Sequence, residues 1–433
     1  MNAHTNNQTS LHAVISGMSD YDPTSLSVEQ AQKIIQQLVS PIYSIEQLAI
    51  RQALGRALAA DIVSGINVPA HDNSAMDGYA LRGSDLPQSG SADLAIIGTT
   101  FAGHAFDGHV GQGECVRIMT GGMMPSGSDT VIPQEMTLRS SDSQITLPSG
   151  KIQTGDNRRL KGEDLSKGKI ALSKGKILRP ADLGLLASLG IAEVPVQRRL
   201  RVAFFSTGDE LRSLGETLDE GCVYDSNRYT LYGMLQRLGC DMIDMGVIKD
   251  EPDTLKEAFL SACENADAII TSGGVSVGAA DYTKQIMAEL GDVGFWTIGM
   301  RPGRPMAFGK IHSKGKSAYL FGLPGNPVAV MVTFYFFVRN ALLHMMGAES
   351  LALPLVRATS TAAIRKRAGR TEYQRGILSV GSNGNLDVAI TGSQGSGILR
   401  SMSEANCMVV LHHDQENVAA GDAVDVLLFE GLI

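Results

Sequence analysis

Residues 266–284, reading ADAIITSGGVSVGAADYTK, constrain the fold more than any other stretch of this sequence. Residues 268–270 form a short apolar run without polar alternation, which is typical of a strand buried on both faces. A glycine loop, Asp281 and a segment with helical apolar spacing follow. Glycines let backbone N–H groups face a bound anion. The order predicts a strand, an anion-facing loop and a helix, although a βα turn that only needs glycine explains this stretch about equally well.

Strand and helix patterns alternate over the segment 201–347. Apolar strands are predicted over 202–205, 242–248, 268–271 and 318–321, and helices over 228–238, 252–262 and 328–346. Short apolar strands that alternate with helices predict a doubly wound parallel sheet with right-handed crossovers. Such sheets bind ligands at the carboxyl ends of their strands.

Acidic residues and glycine turns follow the predicted strands. Asp209 and Glu210 come after the first strand, Asp250 after the second, and the glycine loop with Asp281 after the third. The loop GLPGNP, residues 322–327, follows the last. One such carboxylate alone would more often cap a helix. Four beside two glycine turns favour a site for Mg²⁺ and phosphate.

Two arginines between these loops supply fixed positive charge. Arg301 and Arg304 lie in the segment RPGRP, and guanidinium groups suit bidentate contact with oxyanions.

The remaining sequence predicts an α/β protein of several domains. We expect a flexible tail over 1–22, a small α/β linker domain formed by 23–65 and 160–197, a β-rich domain over 66–159, the sheet domain over 198–347 and a C-terminal β domain over 348–433. Within the linker domain, helices are predicted over 28–39, 45–54 and 180–189.

Composition narrows the possible partners and the compartment. The net charge of −8 argues against non-specific binding to nucleic acid. The polar N-terminus lacks a signal-peptide core, and the apolar run 328–338 is shorter than the roughly 20 residues that span a bilayer. Five scattered cysteines without a Cys-x-x-Cys motif predict reduced thiols, a cytoplasmic location and no zinc site.

Six motifs in one order resemble the MoeA family, the molybdopterin molybdenumtransferases, whose animal counterpart is the gephyrin E domain. They are DNSAMDGY (72–79), RIMTG (117–121), GED (162–164), FSTGDEL (205–211), TSGGVSVGAADYT (271–283) and GLPGNPV (322–328). The resemblance covers roughly residues 25–430. It implies a homodimer that inserts molybdate into the dithiolene of adenylylated molybdopterin, with Mg²⁺-dependent release of AMP. Transient contacts with molybdopterin-supplying enzymes and molybdoenzyme apoproteins would follow.

The resemblance also implies functional residues. The family's positions correspond to Asp77, Thr120, Glu210, Asp250, Asp281, Arg375 and Ser396. Glu210, Asp250 and Asp281 would hold the metal, whereas Asp77 and Thr120 would reach the site from the partner subunit. Further expected substrate contacts are Arg159, Gly273, Gly274, Ser276, Gly278, Lys284, Arg301, Arg304, Pro324 and Pro327.

Three positions depart from the family pattern. Thr297 and Arg301 stand where lysine is usual or common, and Ala329 where serine is frequent, so molybdate affinity is in question.

Two other functions stay open. The sheet domain also resembles enzymes that adenylylate molybdopterin, and a non-enzymatic dimeric scaffold is compatible with the gephyrin resemblance.

Overall fold

The computed structural model describes residues 10–18, 20–275, 281–349, 353–382 and 384–429, and of Asp281 only the backbone. In chain order the first part contains α1 (Leu11–Ser16), α2 (Val28–Leu38), β1 (Ile45–Ala49), β2 (Ile62–Val63), β3 (Asn73–Ser74), β4 (Gly78–Leu81), β5 (Ser91–Thr100), β6 (Glu114–Ile118), β7 (Thr130–Pro133), β8 (Arg139–Ser140), β9 (Gln144–Pro148), β10 (Arg158–Arg159), β11 (Ile170–Leu172), α3 (Pro180–Ser188) and β12 (Glu193–Gln197).

The second part carries the large sheet and the C-terminal strands. It contains β13 (Arg201–Thr207), β14 (Leu211–Arg212), β15 (Val223–Tyr224), α4 (Ser226–Arg237), β16 (Asp241–Ile248), α5 (Pro252–Asn265), β17 (Ala268–Ser272), α6 (Asp281–Leu290), β18 (Gly291–Thr297), β19 (Met300–Arg301), β20 (Pro305–Ser313), β21 (Lys316–Leu323), α7 (Pro327–Thr333), α8 (Arg339–Met345), β22 (Val356–Ser360), β23 (Thr371–Val380), β24 (Leu386–Ile390), α9 (Arg400–Glu404), β25 (Cys407–Leu411) and β26 (Ala423–Leu428).

The N-terminal segment packs on the sheet domain. Ser10 caps α1 by accepting a hydrogen bond from the Ala13 N–H, and Leu11 and Val14 are buried in the main core. The prediction of a flexible tail over 1–22 is therefore wrong for 10–18 and 20–22, because two apolar residues spaced by one helical turn suffice to dock a mostly polar segment. Helix α2 begins after its cap Ser27, whose side chain forms a capping box with Gln30.

The predicted helix over 45–54 is wrong. The structure forms strand β1 there, followed by a 3₁₀ turn, Ile50–Gln52. Strand β1 pairs antiparallel with β12, and β2 pairs with β11. A partner strand distant in sequence has overridden local helix propensity, which is only a weak prior.

The residues from β3 to β10 form a β-rich unit. Six strands pair in the order β7-β4-β6-β5-β9-β8, and β3 pairs with β10 beside them. The predicted domain boundaries themselves stay predictions.

The large sheet is doubly wound, as predicted, but it is mixed. Its order is β16-β13-β17-β21-β20-β18; the first four strands are parallel, and β20 and β18 run antiparallel to their neighbours. One core cluster joins one sheet face to α4 and α7, and another joins the opposite face to α5 and α6. Since β18 and β21 run in the same direction, β18 ends at the edge where the parallel strands end.

The C-terminal strands form a barrel-like domain. They pair in the order β19-β23-β24-β22-β26-β25, and an additional β23–β25 pairing closes the sheet. Strand β19 comes from the sheet domain, so this pairing fastens Arg301 beside Glu372 of β23.

One long helix, Pro327–Met345, is built from α7, a π-helical turn (Phe334–Val338) and α8. Among the described residues it alone has the length and composition to cross a membrane, but 78% of its apolar window is buried inside the protein. That burial is typical of a core helix.

Candidate functional site

The four parallel strands end level with one another. Thr207 pairs with Ile248, and Ser272 pairs with both Ser206 and Leu323. The loops that follow these residues therefore meet at one edge of the sheet. This edge carries most of the residues that the sequence singled out.

Glu210 lies at this edge in an exposed loop. Its backbone oxygen accepts a hydrogen bond from the Val223 N–H at 2.9 Å, which ties the loop to β15. Its carboxylate folds over Gly208, where a Cβ would lie 2.6 Å from Oε2. The carboxylate is thus held near the end of β13.

Asp250 follows the neighbouring strand and is half-buried. Its Oδ1 accepts a hydrogen bond from the Thr283 hydroxyl at 3.2 Å. Asp281 begins α6, which places its backbone beside this pair, but its side chain is outside the described structure. Lys284 is half-buried one residue after Thr283.

The glycine turn after β17 packs closely on its surroundings. Gly273 has φ +94°, and a Cβ there would lie 2.4 Å from the Thr207 carbonyl oxygen. Gly274 has φ +69°, and its Cβ would lie 2.7 Å from the Thr283 side chain. Both positions therefore require glycine for the backbone itself. The predicted contacts Ser276 and Gly278 lie outside the described residues.

The acidic residues at this edge fit Mg²⁺ only if the substrate completes its shell. In the described ranges, no group of three His, Cys, Asp or Glu side chains could hold a metal ion. Mg²⁺ usually takes one or two carboxylates together with waters and substrate phosphates. Glu210 and Asp250 offer such hard oxygen ligands. These residues therefore fit a Mg²⁺ ion whose remaining ligands come from water and a phosphorylated substrate.

The arginines Arg301, Arg304 and Arg375 differ in their exposure to solvent. Arg301 and Arg304 are exposed, and Pro302 follows Arg301 through a cis peptide bond. Arg375 is fully buried. Its guanidinium donates to the Ser401 hydroxyl at 2.9 Å and to the carbonyl oxygens of Ser393, Gln394 and Gly395 at 3.0–3.3 Å.

Arg375, a residue of β23, therefore holds the loop 393–395 in place, and sequence reasoning did not foresee this. Burial first, and the positive charge of Arg301 second, lower the pKa of Arg375 to about 10. Both arginines line a cavity of about 20 Å³ that also contacts Glu372 and Gln394. This space holds little more than one water, so a larger anion would have to bind at its mouth.

The loop held by Arg375 touches the loop after β21. The Ser396 carbonyl oxygen accepts a hydrogen bond from the Val328 N–H at 3.0 Å, in the first turn of α7. Pro324 is buried and Pro327 half-buried at this junction. The structure thus brings Ser396, Pro324 and Pro327 together.

A separate predicted group lies in the β-rich unit. The Thr120 N–H and hydroxyl both donate to Asp77 Oδ1 at 2.7 Å, and these bonds lower the pKa of Asp77. Arg159 is exposed on β10 nearby, since β10 pairs with β3. Within the part of the chain that the structure covers, no hydrogen bond or ion pair joins this group to the sheet edge of the same subunit.

Sequence reasoning missed the buried polar residues that begin α4. Asp225 caps the helix, accepting from the Arg228 N–H at 3.2 Å and from the Ser206 hydroxyl at 3.0 Å. Asn227 contacts two of the edge loops. The motif Asp-Ser-Asn before a helix was a visible signal, but it reads as a cap alone.

Comparison with known families divides almost the whole chain among three regions. Residues 26–190 match the MoeA N-terminal region (domain I and II), 203–344 a probable molybdopterin binding domain, and 357–429 the MoeA C-terminal region (domain IV).

Full-length relatives agree with this division. A molybdopterin molybdenumtransferase of Haemophilus influenzae is 42% identical over 94% of this chain and 100% of its own length. Another, of Nostoc sp., is 36% identical over 93% of each chain. A crystal structure of a molybdopterin biosynthesis moeA protein from Pyrococcus horikoshii OT3 covers 94% of this chain and 100% of its own, with a TM-score of 0.80 and 30% identity.

Proposed function

We propose that this chain, which belongs to the MoeA family and is a transferase of molybdenum cofactor biosynthesis, inserts molybdate into adenylylated molybdopterin and releases AMP with the help of Mg²⁺. The observation that carries the proposal is one sheet edge with two kinds of group. Carboxylates and a glycine turn lie at the ends of the parallel strands, and Arg301 follows the strand beside them. A reaction that cleaves a phosphoanhydride and takes up a molybdate oxyanion needs both.

Each group has a distinct task in the proposed reaction. Glu210 and Asp250, with Asp281 as the expected third residue, would hold the metal. Mg²⁺ supplies positive charge that neutralises the phosphoanhydride and the departing AMP. The turn at Gly273 and Gly274 would place backbone close to the phosphates.

The oxyanion end is served by arginine. Molybdate carries two negative charges, and Arg301 presents an exposed guanidinium fork for it. Arg375 supports this end by fixing the loop that contains Ser396.

AMP release tests the proposal directly. The purified protein is incubated with adenylylated molybdopterin, Mg²⁺ and molybdate, and AMP and active cofactor are both measured. Coupled formation of the two products supports insertion. ATP consumption with unmodified molybdopterin would instead identify an adenylyltransferase, and no reaction in either assay would leave a scaffold role.

The proposed enzyme is a homodimer whose active sites are shared. Two features support sharing: among the described residues, Asp77 and Thr120 form no hydrogen bond or ion pair with the sheet edge of their own subunit, and large apolar side chains are exposed near Glu210. The exposed side chains are Leu214, Leu218, Val223, Tyr224, Tyr229 and Tyr232. Exposed apolar groups of this kind are characteristic of protein–protein contact surfaces.

Subunit mixing tests the sharing. Asp77→Ala and Glu210→Ala subunits are each expected to be inactive alone. After exchange, about a quarter of wild-type activity should return, because half of the dimers are mixed and each keeps one intact site. No recovery, despite proven exchange, would refute a shared site.

The proposed compartment is the cytoplasm, in agreement with five free cysteines. Contacts with molybdopterin-supplying enzymes and with molybdoenzyme apoproteins stay part of the proposal. Co-purification with these partners after mild crosslinking is the measurement that checks them.

A further inference from the structure

Asn227 is a buried amide that joins the two glycine loops of the sheet edge. It lies in the first turn of α4 and is 7% exposed. Its Nδ2 donates to the Ser272 hydroxyl oxygen at 2.7 Å and to the Gly325 carbonyl oxygen at 2.6 Å. Ser272 ends β17, and Gly325 lies in the loop after β21. One side chain therefore bonds to the starts of both loops.

The two loops also touch each other. The Gly273 N–H donates to the Leu323 carbonyl oxygen at 3.1 Å. A Cβ on Gly325 would lie 3.9 Å from the Gly273 Cα. The separation of the loops is thus set by backbone contact on one side and by Asn227 on the other.

The helix that carries Asn227 is itself anchored to the edge. Asp225, its cap, accepts from the Ser206 hydroxyl at the end of β13, and the Asp225 N–H donates to the Arg212 carbonyl oxygen at 3.0 Å. Asn227 is therefore held by a fixed helix start, and its amide has a defined position relative to the loops.

A purely structural role explains this amide poorly. Asn227 Oδ1 is buried and has no hydrogen-bond partner among the described residues. A buried acceptor without a partner lowers the stability of the folded protein. A well-packed apolar residue would avoid that cost. The amide at this position is therefore explained by the two hydrogen bonds that its Nδ2 donates to the loops.

We propose that Asn227 is a positioning residue that holds the Gly273 turn and the Gly325 loop at the spacing required by the phosphate end of the adenylylated substrate. The inference rests on the proposed function, because it assigns that end of the substrate to these loops. Small displacements of positioning groups can lower rates by roughly a hundredfold.

The test compares Asn227→Ala and Asn227→Asp with wild type in the AMP-release assay. Asp has the size of Asn but places an oxygen against the Gly325 carbonyl. In both variants, KM for adenylylated molybdopterin should rise by about tenfold or more, while the molybdate concentration for half-maximal rate stays within about twofold. Ser272→Ala removes one of the two bonds and should give an intermediate rise.

A merely structural role predicts a different effect on kcat and on the two half-saturation values. Partial misfolding lowers the active fraction, so kcat falls while both half-saturation values stay unchanged. That result, or wild-type kinetics in Asn227→Asp, would overturn the inference. Asn265→Ala is the matched control, since in the part of the chain that the structure describes its exposed amide donates only to the Ser261 carbonyl oxygen of its own helix.

Failure of the proposed function is separable from failure of this inference. If wild type releases no AMP, the proposed reaction is refuted, and a crystal structure of Asn227→Asp then decides the positioning role. A widened separation between Gly273 and Gly325 supports it, and an unchanged separation overturns it.

Discussion

Replacing Arg301 by alanine should weaken the use of molybdate more than any other property of the enzyme. Arg301 is exposed at the mouth of the cavity shared with Arg375. In the described parts of the chain its guanidinium has no hydrogen bond or ion pair. Within the described ranges the side chain is therefore not committed to a structural partner, whereas the donors of Arg375 are bonded to the loop 393–395 and to Ser401.

The magnitude follows from this free guanidinium. A hydrogen bond to a charged group contributes about 1.5–3 kcal/mol, which corresponds to roughly 10- to 150-fold in affinity. Solvent screening at an exposed site favours the lower end. We expect the half-saturating molybdate concentration of Arg301→Ala to rise at least about tenfold. Thr297→Lys should lower it, because a second cation is added where β18 ends.

Molybdate titration of AMP release is the assay. Arg301→Lys keeps the charge and loses the planar fork, so an intermediate value is expected. Arg51→Ala is the matched control, because it removes an exposed arginine from the 3₁₀ turn Ile50–Gln52, which lies outside the sheet edge. The alternative is that Arg301 only supports the turn at Pro302. A folded Arg301→Ala variant with wild-type molybdate dependence would refute the reasoning.

Three further outcomes are expected. Asp250→Asn should lose AMP release at limiting Mg²⁺ while Asp253→Asn, in the first turn of α5, keeps it; equal rates would remove Asp250 from the metal site. Leu11→Ala should destabilise the docked N-terminal helix by about 2 kcal/mol or more, whereas the control His12→Ala should have little effect. Thermal unfolding and the fluorescence of the single tryptophan monitor both variants, and equal melting curves would contradict the docking. Native protein at pH 8 should react with a thiol reagent at Cys222 alone, and rapid modification of further thiols would contradict the burial. Burial raises the pKa of the other thiols, Cys115 and Cys240 to about 12, Cys407 to about 11, and Cys263.

The sheet edge was predictable because it depends on local signals and one topological rule. Apolar runs followed by Glu210, Asp250 and glycine turns mark strand ends, and right-handed crossovers bring those ends to one side. Strands β18 and β20 escaped notice because they are antiparallel, and their sequences mix glycine, polar and apolar residues. Their pairing is determined by the sheet they join and not by their own pattern.

Buried polar groups were the least predictable part of the site. Arg375 reads in sequence as a ligand-binding cation, but its partners are carbonyl oxygens of a loop that has no local signal for this arrangement. Asn227 reads in sequence as a helix-start residue, because the loops that its amide bonds to give no local signal for this arrangement either. Both assignments depend on which loops the fold brings within about 3 Å of the side chain, and composition carries no such information.

If the proposed function holds, the electrostatics of the two arginines would let the loop-holding Arg375 contribute to anion binding. Burial first and the positive charge of Arg301 second lower the pKa of Arg375 to about 10, so this guanidinium still carries its charge at neutral pH beside the mouth of the shared cavity. A dianion at that mouth attracts both guanidiniums and offsets their mutual repulsion. Arg301 can then act as the direct partner while Arg375 contributes charge from behind the loop. This division would leave the hydrogen bonds of the Ser396 loop intact during binding, and Arg301 would make the contact that the family pattern gives to lysine.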